Sequence, residues 1–270
     1  MSRRAPKHRP RKRFGQNFLH HESVIQDIVR AVRAADTDHI VEIGPGKGAL
    51  TSAMLETGCT LDAIELDRDL TGLLLSSFAS RETFTLHSAD ALKFDFSNLI
   101  DNHNQSDKKP QLLRVVGNLP YNISTPLLFK LLSSLDLIED MHLMLQLEVA
   151  ERLAAAPGNK NWGRLGVMAQ LLCRVEHLFR VPPEAFRPAP KVHSAVVRLT
   201  PWESSPYPDV DQSALASITK QAFSQRRKTL RINFKHTFTD RDFSDMGIDP
   251  NARAETLKIE DFITITNHID

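Results

Sequence analysis

The stretch from His39 to Leu55 constrains the fold more than any other part of the chain. His39-Ile40-Val41-Glu42-Ile43 is a short β-like run, Gly44-Pro45-Gly46-Lys47-Gly48 is a glycine-rich turn, and Ala49 to Leu55 reads as a helix. Strand, glycine turn and helix in that order point the free N–H groups of a helix start at a ligand, and glycine lets the ligand approach the chain. A second strand, Leu61 to Leu66, carries Glu65, about 20 residues beyond the first glycine, where an acid can accept hydrogen bonds from a ribose hydroxyl pair. The next run, Thr83 to His87, leads into Ser88-Ala89-Asp90-Ala91 and sets another carboxylate at the top of a third strand. This pattern predicts an α/β, doubly wound, Rossmann-like domain.

Two cofactor classes use such a framework. A dinucleotide site has G-x-G-x-x-G with a pyrophosphate at the helix start. Here the glycines fall as G-x-G-x-G behind Glu42, whose charge repels a phosphate and suits the ammonium of a methionine-like group. Asp90 suits the amino edge of an adenine. Acids at Glu42, Glu65 and Asp90 on three successive strand ends favour S-adenosylmethionine over a nicotinamide cofactor.

A fourth apolar run, Leu112, Leu113, Val115 and Val116, leads to Asn118-Leu119-Pro120-Tyr121, ahead of the helix-like Ser124 to Leu132. An exocyclic amine on adenine or cytosine is a poor nucleophile because its lone pair is delocalised into the ring. The Asn118 side-chain oxygen and the Leu119 carbonyl can both accept N–H bonds from that amine where Pro120 fixes the chain. Tyr121 can stack on the base, a contact worth on the order of 1–3 kcal/mol. Alone, Asn-x-Pro-aromatic reads more readily as a strand end with a proline turn; the upstream acids support the pocket.

Composition narrows the class. The 270 residues, 41% hydrophobic and 25% charged, suit one large or two modest domains with a real core. No apolar stretch is long enough to read as a membrane span. Cys59 and Cys173 offer no disulfide framework, which points to a reducing cytoplasm. The 11 histidines are scattered, and the adjacent pair His20 and His21 lacks ligand spacing, so no metal is expected. A net charge of +1 hides two basic blocks without acids: Arg3, Arg4, Lys7, Arg9, Arg11, Lys12 and Arg13, then Lys220, Arg226, Arg227, Lys228, Arg231 and Lys235. Two such blocks on a near-neutral chain point to a polyanionic partner. The first block also has the composition of an organellar presequence, although Pro6 and Pro10 spoil an amphipathic helix and no hydrophobic segment makes a secretory signal.

Between these landmarks, Phe14-Gly15-Gln16-Asn17-Phe18-Leu19 precedes a helix in which Val24, Ile25, Ile28, Val29 and Val32 recur at helical spacing. Gln16 and Asn17 either satisfy the helix entry or line a ligand mouth. Asp101 to Gln111 reads as a solvated loop. Met141 to Leu147 reads as a fifth strand, Val149 to Ala155 and Leu165 to Leu172 as helices, and Ala156 to Trp162 as a loop able to grip substrate. Val181 to Lys191 is dense in prolines, hence rigid, and Val192 to Leu199 is the closing strand. After a linker over Pro201 to Pro208, Leu215 to Phe223, Thr229 to Phe234 and Asp240 to Asp245 predict a small helical domain. The expected division is a basic tail over 1–13, a catalytic domain over 14–200 and a helical domain over 201–270.

From Phe14 to about Lys235 these motifs resemble the KsgA (RsmA) family of ribosomal RNA adenine dimethyltransferases. The family's amino-terminal cofactor motif stands here as Gln16-Asn17-Phe18-Leu19, its glycine motif as Glu42 to Thr51, its ribose-binding acid as Glu65 and its adenine-binding acid as Asp90. Its catalytic tetrapeptide is Asn118 to Tyr121, its late motif Val181 to Val196, and a further hallmark is Phe223 to Arg231. One departure is Lys47, where an apolar residue is expected. The resemblance implies a class I S-adenosylmethionine-dependent methyltransferase fold with a small α-helical carboxyl-terminal domain. It implies dimethylation of the N6 amines of two adjacent adenosines near the 3′ end of 16S rRNA in the small ribosomal subunit or its precursor.

In that reading Gln16, Asn17, Leu19, Glu42, Gly44, Gly46, Glu65, Asp90 and Asn118 hold the cofactor. Asn118 and Leu119 hold the amine, and Tyr121 and Phe186 flank the base. Arg226, Arg227, Lys228 and Arg231 orient the RNA through its phosphates. Leu119 stands where related adenine monomethylases carry a second proline, leaving room for a methylated nitrogen. Nothing in the sequence calls for more than a monomer. Two rivals share parts of the pattern: the 23S rRNA dimethyltransferases of macrolide resistance, and a ribosome-assembly factor in which binding matters more than catalysis.

Overall fold

The computed structural model describes residues 16–100 and 111–269. The basic block at residues 3–13, Phe14, Gly15 and all but the last residue of the loop expected over Asp101 to Gln111 lie outside the described residues. By packing the chain divides into two units. One holds residues up to Ala150 together with Glu176–Pro201, and the other holds Glu151–Val175 and Trp202–Asp270.

The first unit is built on a seven-stranded sheet in the order β4-β3-β2-β5-β6-β9-β7. The strands are β2 (His39–Ile43), β3 (Thr60–Glu65), β4 (Phe84–Ser88), β5 (Leu113–Asn118), β6 (Ile138–Gln146), β7 (Cys173–Val181) and β9 (Ser194–Pro201). The first five run parallel, and β9 is antiparallel to β6. Every residue of β2 is buried, as expected of a parallel strand covered on both faces. In β9, although it runs antiparallel, Ser194, Ala195, Val196 and Val197 are likewise all buried, so both faces of that stretch are covered. The strand β7 follows the helix α6 (Arg164–Leu172) without a break; its CRVEHLFRV sequence alternates poorly, which hides it from a pattern reading.

Three connecting helices follow the sequence pattern: α1 (Glu22–Val32), α2 (Ala49–Leu55) and α4 (Ser124–Leu132). In α1 the buried residues are Val24, Ile25, Ile28 and Val32, the face the spacing foretold. Helix α3 (Arg68–Phe78) is capped by Asp67, whose side chain accepts the Asp69 N–H. A short strand β1 (Phe18–Leu19) pairs antiparallel with β8 (Phe186–Arg187), setting Leu19 opposite Phe186.

The second unit is helical and includes a segment placed by sequence in the catalytic domain. Its helices are α6 (Arg164–Leu172), α7 (Gln212–Ala222), α8 (Leu230–Asn233), α9 (Asp240–Asp245) and α10 (Ile259–Asn267), and α5 (Leu147–Leu153) leads into it. The Trp162 indole is fully buried and donates to the Leu257 carbonyl at 2.9 Å. Gly158 N–H donates to the Glu255 carbonyl at 2.7 Å. The Gln170 amide donates to the carbonyls of Leu153 and Ala155. The first two bonds tie the loop over Ala156 to Trp162 to the segment ahead of α10, and the Gln170 bonds tie α6 to the residues before that loop. The Thr219 hydroxyl of α7 reaches the Met168 sulfur of α6 at 3.8 Å, so the unit begins at Glu151 and not only after residue 200. Among the described residues no helix is long and apolar enough to cross a membrane.

A buried charge locks the end of the sheet opposite the strand tops. Arg114 in β5 bonds both oxygens of Asp140, at 3.1 and 2.7 Å, and it also reaches Asp38 at 2.7 Å and the Val32 carbonyl at 2.7 Å. One guanidinium thus joins β5, β6 and the exit of α1. Arg114→Leu leaves two carboxylates without their counterion and is expected to cost about 3–5 kcal/mol, read as a lower urea midpoint. Arg114→Leu with Asp140→Leu should recover part of that loss.

Candidate functional site

A cleft opens at the carboxyl ends of β2, β3, β4 and β5, where the strand order reverses and neighbouring connections diverge. Its wall comes from five stretches: Gln16 to Leu19, Glu42 to Leu50, Ile64 to Leu70, Ala89 to Leu92 and Asn118 to Ile123, though not every residue of each lines it. All of them belong to the first unit. The described cleft holds no cluster of three or more His, Cys, Asp or Glu placed to grip a metal ion.

Close approach of backbone shapes the opening. Gly46 has φ 60°, and a Cβ there would stand 3.0 Å from the Phe18 ring. At Gly117 a Cβ would lie 2.5 Å from the Ile43 carbonyl oxygen, so only glycine lets β5 deliver Asn118 beside the glycine turn.

The three acids are each held differently. Glu42 is 2% exposed and accepts the Thr51 hydroxyl at 2.6 Å. Burial pushes its carboxyl up to about 7, with the Thr51 bond opposing and the nearby Glu65 charge adding to the rise. Glu65 is oriented by the main chain, one oxygen accepting Asp67 N–H at 2.8 Å and the other Gly46 N–H at 3.3 Å; burial raises its pKa too. Asp90 accepts Leu92 N–H at 3.0 Å through one oxygen and lines the cleft.

Across the opening, the Asn118 amide nitrogen donates to the Asn17 carbonyl at 2.9 Å. A carbonyl can only accept, so the NH₂ group faces it and the amide oxygen faces away. Neither that oxygen nor the Leu119 carbonyl has a donor among the described residues. Leu119 is 1% exposed, with its N–H given to the Met144 carbonyl at 3.1 Å. The Tyr121 hydroxyl meets the Ser194 hydroxyl at 2.7 Å, and burial holds the phenol protonated by raising its pKa.

The structure therefore brings Gln16, Asn17, Leu19, Glu42, Gly44, Gly46, Glu65, Asp90, Asn118, Leu119 and Tyr121 to one cleft. It does not bring Phe186 there. That ring is 1% exposed and sits in the core with Leu19, Val181, Ala185 and Val196, because the β1–β8 pairing turns it inward. Three further residues carry the site without having been singled out. Thr51 holds Glu42. Asp67 caps α3 and accepts the Gln16 amide at 2.9 Å, and its place two residues after Glu65 at a helix start was a usable signal. Ser194 anchors Tyr121 from a position 73 residues away in sequence, which no local pattern can reveal.

The basic run of the second unit is only partly free. Arg226 pairs with Glu255 at 3.1 Å and also donates to the carbonyls of Lys160 and Trp162, so it serves the fold of its own unit. Arg231 pairs with Asp240 at 3.2 Å. Arg227 and Lys228 are exposed and have no acidic partner among the described residues.

Residues 7–270 match the family described as ribosomal RNA adenine dimethylase. The chain is 53% identical over 260 residues to the ribosomal RNA small subunit methyltransferase A of Pseudomonas syringae pv. syringae, covering 96% of this chain and 94% of that one. It is 53% identical to the protein of the same name from Pseudomonas aeruginosa, over 97% of this chain and 95% of that one. Among solved structures, a dimethyladenosine transferase from Plasmodium falciparum superposes with a TM-score of 0.75 at 26% identity, covering 92% of this chain and 95% of that one. The 23S rRNA methyltransferase ErmE shares the fold, with a TM-score of 0.68 at 22% identity over 94% of this chain and 99% of that one.

The Tyr121–Ser194 bond is testable without any ligand. Tyr121→Phe and Ser194→Ala should each destabilise the protein by about 1 kcal/mol, and the double variant by less than the sum, because a bond between two partners is lost only once. Urea denaturation of the four proteins measures the coupling.

Proposed function

Since this chain belongs to the ribosomal RNA adenine dimethylase family, we propose that it moves methyl groups from S-adenosylmethionine to adenine N6 amines of small-subunit ribosomal RNA. The finer target is two adjacent adenosines near the 3′ end of 16S rRNA, each methylated twice, within the small subunit or its precursor. We assign the protein to the cytoplasm as a monomer and give it a part in subunit biogenesis. The observation that carries the reading is a pair of acceptors, the Asn118 amide oxygen and the Leu119 carbonyl, unengaged beside a cleft lined by three acids.

The cleft suits the cosubstrate by charge and by hydrogen bonding. Glu42 would face its ammonium, Glu65 the ribose hydroxyls and Asp90 the adenine amine, with apolar Leu66 and Leu92 beside the ring. Gln16, Asn17 and Leu19 close the same wall beside Gly44 and Gly46. When bound, the sulfonium supplies an activated methyl group. The rest is positioning. Asn118 and Leu119 accept the two N–H bonds of the target amine and so draw its lone pair out of conjugation. Tyr121, fixed by Ser194, stacks on a base that has left its helix at a cost of a few kcal/mol. The proton departs to solvent after transfer. Phe186 supports this clamp from the core behind Leu19, and contact with the base would require its ring to move outward. Arg227 and Lys228 are assigned to RNA phosphates, with Arg231 joining them if its pair with Asp240 opens.

Labelled methyl transfer to small subunits that lack the modification, beside large subunits and protein-free RNA, tests the reading. Label confined to small subunits and recovered as N6,N6-dimethyladenosine is expected. Label on protein-free 23S RNA would move the chain to the resistance enzymes, and no label would leave a binding factor. Asn118→Ala should lower kcat by about 10²–10³, the loss typical of one acceptor or donor aimed at a reacting group.

Glu42 makes cosubstrate binding depend on pH. The ammonium needs the ionised carboxylate. Affinity should be highest between about 7 and the titration of the ligand's own α-ammonium at about 8; below about 7 each binding event releases a proton, and affinity should fall by up to about tenfold per pH unit. Calorimetry in buffers of different ionisation heat reads the released proton, and Glu42→Gln should abolish the slope.

A further inference from the structure

We infer that Lys47 is the counterion of the carboxylate on the methionine end of S-adenosylmethionine, an assignment that rests on the methyl-donor reading of the cleft. Among the described residues that line the cleft, Lys47 alone carries positive charge, whereas Glu42, Glu65 and Asp90 carry negative charge. The cosubstrate's amino-acid end bears an ammonium and a carboxylate on the same carbon. Glu42 attracts the first and repels the second. A carboxylate entering an acid-lined cleft needs a cation close to the ammonium site, and Lys47 lies on the same glycine turn that follows Glu42.

Its side chain is already placed. The ammonium stands 4.8 Å over the centre of the Phe18 ring, a contact that holds a lysine at the wall without neutralising it. Phe18 itself packs against Gly46, and both belong to the cleft wall. Lys47 has no acidic partner among the described residues, so its charge is available to a ligand. Gly46 and Gly48 on either side have φ 60° and 80°, which fixes the direction in which the lysine leaves the turn.

The test removes one group from each partner. Binding of S-adenosylmethionine and of decarboxylated S-adenosylmethionine, which lacks only the carboxylate, is measured calorimetrically with the wild-type protein, Lys47→Leu and Lys47→Arg. Wild type should prefer the carboxylate-bearing ligand by about tenfold, the order expected of one charge-assisted bond. Lys47→Leu should lose that preference while binding the decarboxylated ligand as well as wild type does. Lys47→Arg should keep it. Equal loss toward both ligands, or no loss, would overturn the assignment. So would unchanged cosubstrate binding with a raised KM for RNA, which would place the lysine on a phosphate. If wild type bound neither ligand, the methyl-donor reading itself would fall; if it bound both alike, only the role of Lys47 would.

Discussion

The cleft depends on one close approach between neighbouring parallel strands. Gly117 brings β5 so near β2 that a single added carbon would collide with the Ile43 carbonyl at 2.5 Å. The next residue, Asn118, thereby reaches the Asn17 carbonyl and stands across from the turn that begins at Gly44. A wider spacing would leave the acids and the amide acceptors in separate places. The strand order supplies the rest, since β3 and β5 lie on opposite sides of β2 and their connections part at that point.

Around that approach the polar groups are held by backbone and by one another before any ligand arrives. Glu65 is aimed by two main-chain N–H groups, Glu42 by Thr51 and Tyr121 by Ser194. What stays unengaged is complementary to a cationic, nucleoside-bearing molecule on one side and to a flat amine on the other. Preorganisation of this kind is what a transfer reaction without covalent intermediates needs, because little reorganisation is left for the moment of reaction. Burial raises the carboxyls of both Glu42 and Glu65, Glu42 up to about 7, and a bound cation would relieve the strain on Glu42.

The helical unit shows how a basic run divides its labour. Arg226 bonds Glu255 and two carbonyls of its own unit, whereas Arg227 and Lys228 face solvent. Charge density along the chain therefore overstates the surface open to RNA, since part of it closes the fold. The same unit claims Glu151–Val175 through the Trp162 indole, which donates to the Leu257 carbonyl.

The sequence by itself determined the parallel α/β core, the acid at each of three strand ends and the amide-proline-aromatic turn at the fourth. Each of these is local: hydrophobic runs of strand length, glycines in a turn and an acid at a fixed interval leave a pattern within a few tens of residues. Only the tertiary structure decided the pairings between distant segments. Ser194 meets Tyr121, Gln16 meets Asp67 and Arg114 meets Asp38 through strand order, which no spacing encodes. It also turned Phe186 into the core, because pairing with Leu19 across β1 and β8 fixes the side on which that ring falls. It joined the segment from Glu151 to the later helices, since burial of Trp162 satisfies its indole only at the Leu257 carbonyl. Alternation and spacing specify elements, whereas burial and hydrogen-bond satisfaction across the fold choose their partners.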